Sequence, residues 1–274
     1  MCIRDSFERM QRANRYSDPK HIPEYLRTHP ITINRIAEAR SRAEMVKPTI
    51  VREDRHEYHL VKAKLRVRST SDPMRSVNYF LDQLRSGGGY HENVSRYGYA
   101  LALMESGDVD SARVELVKLM SEYPSVMSFR IAAGQVEKAA RHFGQALGHF
   151  EVAFRSDPEN RAAVYNYINA LLLVGRAAEA KTLLRSYGLS DRRDPKFYKL
   201  LAEAENNLGE IANSHHSLAE YYMGLGELPH AADQLRLARG TPGLSNYQRQ
   251  KIVARLEEVE ETIQEQENEK RQRR

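Results

Sequence analysis

The sequence predicts an all-α solenoid of stacked helical hairpins, and three observations carry that expectation. Ala112, Ala146 and Ala180 stand 34 residues apart, and Pro124 and Pro158 keep the same interval. Helix-forming residues dominate a chain that lacks tryptophan. Apolar residues are spread out and not gathered into strand-like blocks. A period of this length marks units that are single helical hairpins, none of which can bury its apolar face alone, so that neighbours must stack.

The interval is that of tetratricopeptide repeats, and each unit can be justified in order. Two crossing helices need small residues where their backbones approach, and a proline suits the exit of the second helix. Residues 93–126 supply Ala100, Gly107, Ala112 and Pro124; residues 127–160 supply Gly134, Ala146, Ala153 and Pro158. Residues 161–194 supply Gly175 and Ala180, with Pro195 slightly late. Gly209 opens the inter-helix turn of a fourth unit, with Ser214 at the crossing. Leu116, Leu119, Phe150, Leu171, Leu184 and Leu218 fill the seam. After Gly209 the step halves: Gly226 and Ala231 follow Gly209 and Ser214 by 17 residues. The helix around His215–Gly224 should therefore close one hairpin and open the next. A last helix, about Tyr247–Glu267, places Ile252, Val253, Leu256, Val259 and Ile263 on one stripe and reads as a cap with a wet outer face. The tail EQENEKRQRR is expected to fray.

Upstream, Glu53–Arg68 and Met74–Arg85 read as a repeat-like hairpin, with Asp72-Pro73 as N-cap and first-turn proline. Gly87-Gly88-Gly89 then reads as a linker; neither a preceding strand nor a following Gly-Lys-Ser/Thr supports a phosphate loop. Residues 1–49 differ in character. A short helix, Ser6–Arg15, precedes a segment kept extended by Pro19, Pro23 and Pro30. A second helix should open at Thr32 or Asn34 and run to about Met45. The expected division is thus 1–49, 50–88, 89–246 (the repeats) and 247–274 (the cap and charged tail).

Several function classes are excluded or left without support. No run of about 18 apolar residues exists to span a membrane as a helix. The only cysteine is Cys2, so no thiolate cluster can form. The net charge is +5, but acids are mixed among the bases, as in Arg52-Glu53-Asp54-Arg55. Nucleic-acid binding is therefore not expected. A zinc peptidase would show His-Glu-x-x-His, which sets two imidazoles on one helix face. His91-Glu92 lacks the second histidine, His56 and His59 have the wrong spacing, and the adjacent His215 and His216 must diverge around a helix. There is no Gly-x-Ser-x-Gly elbow. No self-contained active site is visible.

One segment carries a more specific message. Pro23-Glu24-Tyr25-Leu26-Arg27-Thr28-His29-Pro30, followed by Arg35-Ile36-Ala37-Glu38-Ala39-Arg40, resembles the Thr-His-Pro loop and basic helix that end the peptidase domain in periplasmic zinc metalloproteases of the BepA type. The order of parts, from about Phe7 through the Tyr58–Lys64 helix and the repeats, matches as well. The resemblance implies that residues 1–49 are the end of a metallopeptidase domain and that the chain is the C-terminal part of a zinc metalloendopeptidase. The HExxH helix and its downstream glutamate are absent from this sequence, and Met1–Asp5 does not continue the family pattern. The resemblance further implies zinc in the full-length protein but none in this chain, and a regulatory role for His29 near that zinc. It implies a periplasmic location, and docking on the β-barrel assembly machinery and outer-membrane protein clients. The competing expectation is a non-enzymatic repeat scaffold.

Repeat arrays of this kind bind along the face lined by the first helix of each unit. The register places Tyr97, Leu101 and Met104 there in the first unit, and Ile131, Gln135 and Lys138 in the second. The third offers Tyr165, Asn169 and Leu172; the fourth offers Lys199, Glu203 and Asn206. Amide and phenol groups suit hydrogen bonds to an extended backbone.

Overall fold

The computed structural model of the protein describes residues 55–87, 92–187 and 194–272, together with positions 37, 38, 41, 42 and 45. The chain divides into two compact units, Met1–Arg55 and His56–Arg274. In the first, Ala37, Glu38, Ser41, Arg42 and Met45 are helical and exposed. Arg42 pairs with Glu38 one turn earlier at 2.5 Å. These positions fall within the helix expected after Thr32 or Asn34. The Thr-His-Pro segment with His29, and the expected Ser6–Arg15 helix, lie outside the described residues.

Among the described residues the second unit is built of twelve helices and no strand. Two leading helices, α1 (His56–Arg68) and α2 (Pro73–Arg85), precede the array. The hairpins are α3 (Glu92–Glu105) with α4 (Val109–Glu122), α5 (Met127–Ala139) with α6 (Phe143–Ser156), α7 (Arg161–Leu173) with α8 (Ala177–Tyr187), and α9 (Pro195–Asn207) with α10 (Ile211–Gly224). The stack ends in α11 (Leu228–Gly240) and α12 (Asn246–Gln272). Asp72 caps α2 as its sequence suggests, its carboxylate accepting the Met74 N–H at 3.0 Å ahead of the first-turn Pro73. The leading pair differs from a repeat hairpin, because α1 and α2 both pack on α3 and scarcely on each other.

A single turn joins the helices within each hairpin. Gly107, Gly175, Gly209 and Gly226 take left-handed φ of +75° to +90°. The next residue then donates its N–H to the carbonyl five positions back, at 2.8–2.9 Å. This satisfies a carbonyl left over at the helix end. The corresponding position of the second hairpin is Arg141, the one described non-glycine residue with positive φ (+63°), and it makes the same bond, His142 N–H to Glu137 O at 2.8 Å.

The seam residues Leu116, Leu119, Phe150, Leu171 and Leu184 are essentially inaccessible, each such burial contributing about 2–3 kcal/mol. Leu218 is only half-buried. Gly134 has no alternative: a Cβ there would stand 2.5 Å from the Phe150 ring. The core falls into three clusters, and the break between the last two runs through the α9–α10 hairpin. There polar contacts take over. Ser214, buried at the crossing, donates to the Ala202 carbonyl at 2.8 Å, and Ser217 donates to the Glu205 carboxylate at 2.7 Å.

The halved step has the expected consequence: α10 packs on α9 with one face and on α11 with another. Ile252, Leu256 and Val259 of α12 are buried, whereas Val253 and Ile263 are half-buried. The charged tail does not fray at once; α12 stays helical to Gln272, its alternating acids and bases spaced for pairing along one helix.

Candidate docking surface

Consecutive first helices, α3 to α5, α5 to α7 and α7 to α9, approach one another more closely than consecutive second helices do. The stack therefore curves with its first helices on the inner side. α1 lies against α3 on this array, and the ring of His56 meets the edge of Phe129 on α5 at 6.3 Å.

The sequence-projected residues separate into two groups. Gln135, Lys138 and Asn169 are half-exposed, and Lys199, Glu203 and Asn206 are exposed. Lys138 and Asn169, from adjacent hairpins, meet at 3.4 Å, the ammonium donating to the amide oxygen. Tyr97, Leu101 and Tyr165 are buried, as are Ile131 and Leu172, and Met104 packs against the first core cluster. These residues are withdrawn from partner contact, because a helix presents a stripe of only about 100° to one neighbour and theirs faces the adjacent helices. Tyr165 instead organises the rim. Its hydroxyl donates to Asp194 at 2.6 Å, Arg161 donates to the same carboxylate oxygen at 2.5 Å, and the Lys196 ammonium lies 4.8 Å from its ring centre. Burial and the nearby Asp194 push the Tyr165 phenol upward, and burial raises Tyr97 to about 12, so both stay neutral donors.

Lys138 of α5 and Lys196 of α9 both meet α7, the first at Asn169 and the second over the Tyr165 ring. Partial burial lowers the pKa of Lys64, and the like charges of Arg68 and Lys196 lower it further. Partial burial also lowers Lys196, against the pull of Asp194 and with Lys138 and Arg68 adding to the fall. Sequence reading missed Lys196 for this face, since it is the stacking of α9 on α7 that sets it beside the Tyr165 ring.

A second concavity lies between α9, α10 and α12, about 900 Å³ in volume. Leu201, Glu205, Asn213, His216, Ser217 and Glu220 form its floor. The residues 34 positions earlier, Tyr167, Leu171, Glu179, Thr182, Leu183 and Ser186, line a shallower groove of about 460 Å³. The later cleft is deeper because α12 adds a wall, tied on by Arg255 donating to both Glu220 oxygens at 2.8 and 2.7 Å. His215 turns away to meet Gln234 of α11 at 2.8 Å, while His216 faces the cleft. The adjacent histidines thus diverge as expected. Burial and the charges of Lys251 and Arg255 hold His216 below its usual pKa. No three His, Cys, Asp or Glu residues gather to hold a metal ion among the described residues.

A family profile for the tetratricopeptide repeat matches residues 130–204. The match runs from α5 into α9. Over most of its length the chain is similar to the beta-barrel assembly-enhancing protease of Escherichia coli (strain K12), at 28% identity over 252 residues, 92% of this chain and 51% of that protein. The protein of the same name from Yersinia pestis is 24% identical over 237 residues, 86% of this chain and 49% of its own. The chain therefore spans about half the length of these relatives. The similarity agrees with the resemblance carried by the Thr-His-Pro segment. Among solved structures, MamA 41-end from Desulfovibrio magneticus RS-1 aligns with a TM-score of 0.47 at 13% identity, over 62% of this chain and 94% of that one. No described helix is long and apolar enough to cross a membrane.

Proposed function

We propose that this tetratricopeptide array is the docking and substrate-recruiting part of a zinc metalloendopeptidase that serves protein quality control in the bacterial envelope. The observation that carries the reading is a likeness to named beta-barrel assembly-enhancing proteases across 92% of the chain, and not across a single repeat. In this reading residues 1–49 close the peptidase domain, and His29 restrains its zinc in the full-length protein. A neutral imidazole would occupy the coordination position that the nucleophilic water needs. Residues 50–246 present partners to the peptidase, and 247–274 cap the stack. The partners are the β-barrel assembly machinery and its outer-membrane protein clients, met in the periplasm.

The array performs recruitment through its inner face. Half-exposed Gln135, Lys138 and Asn169 offer hydrogen bonds that do not depend on the side chains of an extended client. The buried tyrosines beneath keep the first helices in place. Photo-crosslinkers placed singly at Lys138, Asn169 and Lys199 of the full-length protein test the reading in the envelope. The expected result is adducts with the barrel subunit of the assembly machinery at these positions and not at Val117, an exposed site on α4. Equal yields at Val117, or none at the inner positions, would overturn it.

A further inference from the structure

We propose that the cleft between α9, α10 and α12 binds a small amphipathic organic anion, its acid group on Lys251 and its apolar body among Phe197, Leu201, Leu244 and Ile252. The cleft encloses about 900 Å³. That suits a small-molecule site, in which an apolar lining carries a few convergent polar groups. It lies where the hydrophobic core is broken. Phe197 and Leu201 belong with the second core cluster, Leu244 and Ile252 with the third, and all four line the cleft. An apolar body seated there would touch both clusters. Helices on three sides favour a compact molecule over an extended chain.

The equivalent groove one period earlier shows that the fold does not require a polar floor. Leu171, Thr182 and Leu183 stand there at the positions of Glu205, His216 and Ser217. Burial raises the pKa of Glu205, so a carboxylate at this position opposes folding in a way that leucine does not. Unpaired charge in the lining is positive. Arg255 is spent on Glu220 and Glu258, at 2.7 and 2.6 Å. Glu205 accepts from Ser217 at 2.7 Å and has Lys181 at 3.9 Å. Among the described residues, no carboxylate lies within ion-pair distance of Lys251 or Arg185. Tyr247, Lys251 and Arg255 follow at four-residue steps along one face of α12 and line the cleft. The exposed Tyr247 ring and the Lys251 ammonium are thus one turn apart, a pairing that matches an acid with an apolar body and opposes a cation. Neither Lys138, Asn169 nor Lys199 lines this cleft, so the site is separate from the inner face.

The test uses the full chain and the fluorescent anion anilinonaphthalene sulfonate, read without tryptophan background. Saturable binding of one probe per chain is expected, weakened by salt and reversed by phenylpropionate. Phenethylamine, with the same ring and the opposite charge, should not displace it. Lys251→Glu should weaken binding about fivefold or more, and Lys251→Gln by a smaller factor, with Tm unchanged because no ion pair is lost. Arg249→Glu makes the same charge change at an exposed position of α12 outside the lining, and should stay within about twofold of wild type. Ala254→Trp, on the exposed side of the lining, should fill the cleft and abolish binding; the Lys251 and Arg249 variants decide the matter if it is less stable. Absence of saturable binding, equal losses in Lys251→Glu and Arg249→Glu, or displacement by phenethylamine as readily as by phenylpropionate would overturn the proposal. Crosslinks from Lys138 and Asn169 report a different surface, so the docking reading stands or falls without it.

Discussion

Two junctions of the array occupy the same register and behave oppositely. Between the first and second hairpins, Arg113 of α4 reaches Glu137 of α5; between the third and fourth, Lys181 of α8 faces Glu205 of α9. The residues correspond across two full periods, 68 positions, and both glutamates are buried. Arg113 donates its guanidinium fork to both Glu137 oxygens, at 2.6 and 3.2 Å, and His142 lies 3.0 Å from the second. Glu137 is accordingly held below the usual carboxylate pKa, chiefly by Arg113. Lys181 is drawn instead to Glu210 and stays 3.9 Å from Glu205. Burial dominates there and raises Glu205, despite the hydrogen bond from Ser217. A planar fork satisfies two oxygens at once, whereas a point charge on a flexible stem follows the nearer acid. The first junction is closed by a forked ion pair; at the later one the lysine pairs with Glu210, and the buried glutamate accepts from Ser217 of its own hairpin.

Breaking the first junction should have the largest effect. Glu137→Gln is expected to cost about 2 kcal/mol at neutral pH, since it leaves a partly buried guanidinium short of its counter-charge. Because the folded pKa of Glu137 is depressed, its stabilisation is full above the unfolded value of about 4.5 and disappears as pH falls through the folded value. Urea unfolding at pH 7 and pH 3 checks this: the variant should be weaker at pH 7, and the difference should shrink at pH 3.

Glu205→Gln should move stability the other way and by less, about 1 kcal/mol or under at pH 8. Its folded pKa is raised, so the wild-type chain loses stability as pH climbs from about 4.5 through that value. A neutral amide that still accepts from Ser217 removes this slope. Parallel pH profiles for variant and wild type would contradict the proposed difference between the junctions.

The smallest effect concerns the turn beside the first junction. Arg141→Gly should stabilise by about 0.5–1 kcal/mol, because glycine takes positive φ without a Cβ penalty. Thermal melts of the two proteins decide it; a lowered Tm would mean that the arginine side chain contributes more than its backbone costs.

Much of the fold was legible in particular residues. Ala112, Ala146 and Ala180 mark crossings that are fully buried, Ser214 sits where a small residue was required, and the step from Gly209 to Gly226 announces the doubled role of α10. These features are local or strictly periodic, which is what a linear reading detects. Arg141 escaped notice as a turn residue because its conformation, not its identity, keeps the period. The site was less legible. Tyr97, Leu101 and Tyr165 were projected onto a partner face and lie between helices, since a small rotation of a helix exchanges its exposed and buried stripes. Lys196 carried no motif at all.

The sequence alone determined the hairpin unit, its period, the place where that period halves and the likeness to beta-barrel assembly-enhancing proteases. Helix ends, turns and small-residue crossings are set by residues close in the chain or repeated along it. Only the tertiary structure decided which side chains share the inner face, which of two equivalent glutamates meets an arginine fork, and how α12 deepens one groove of an equivalent pair. Those outcomes depend on the curvature accumulated over successive hairpins, to which each packing contact adds a little and which no single segment encodes.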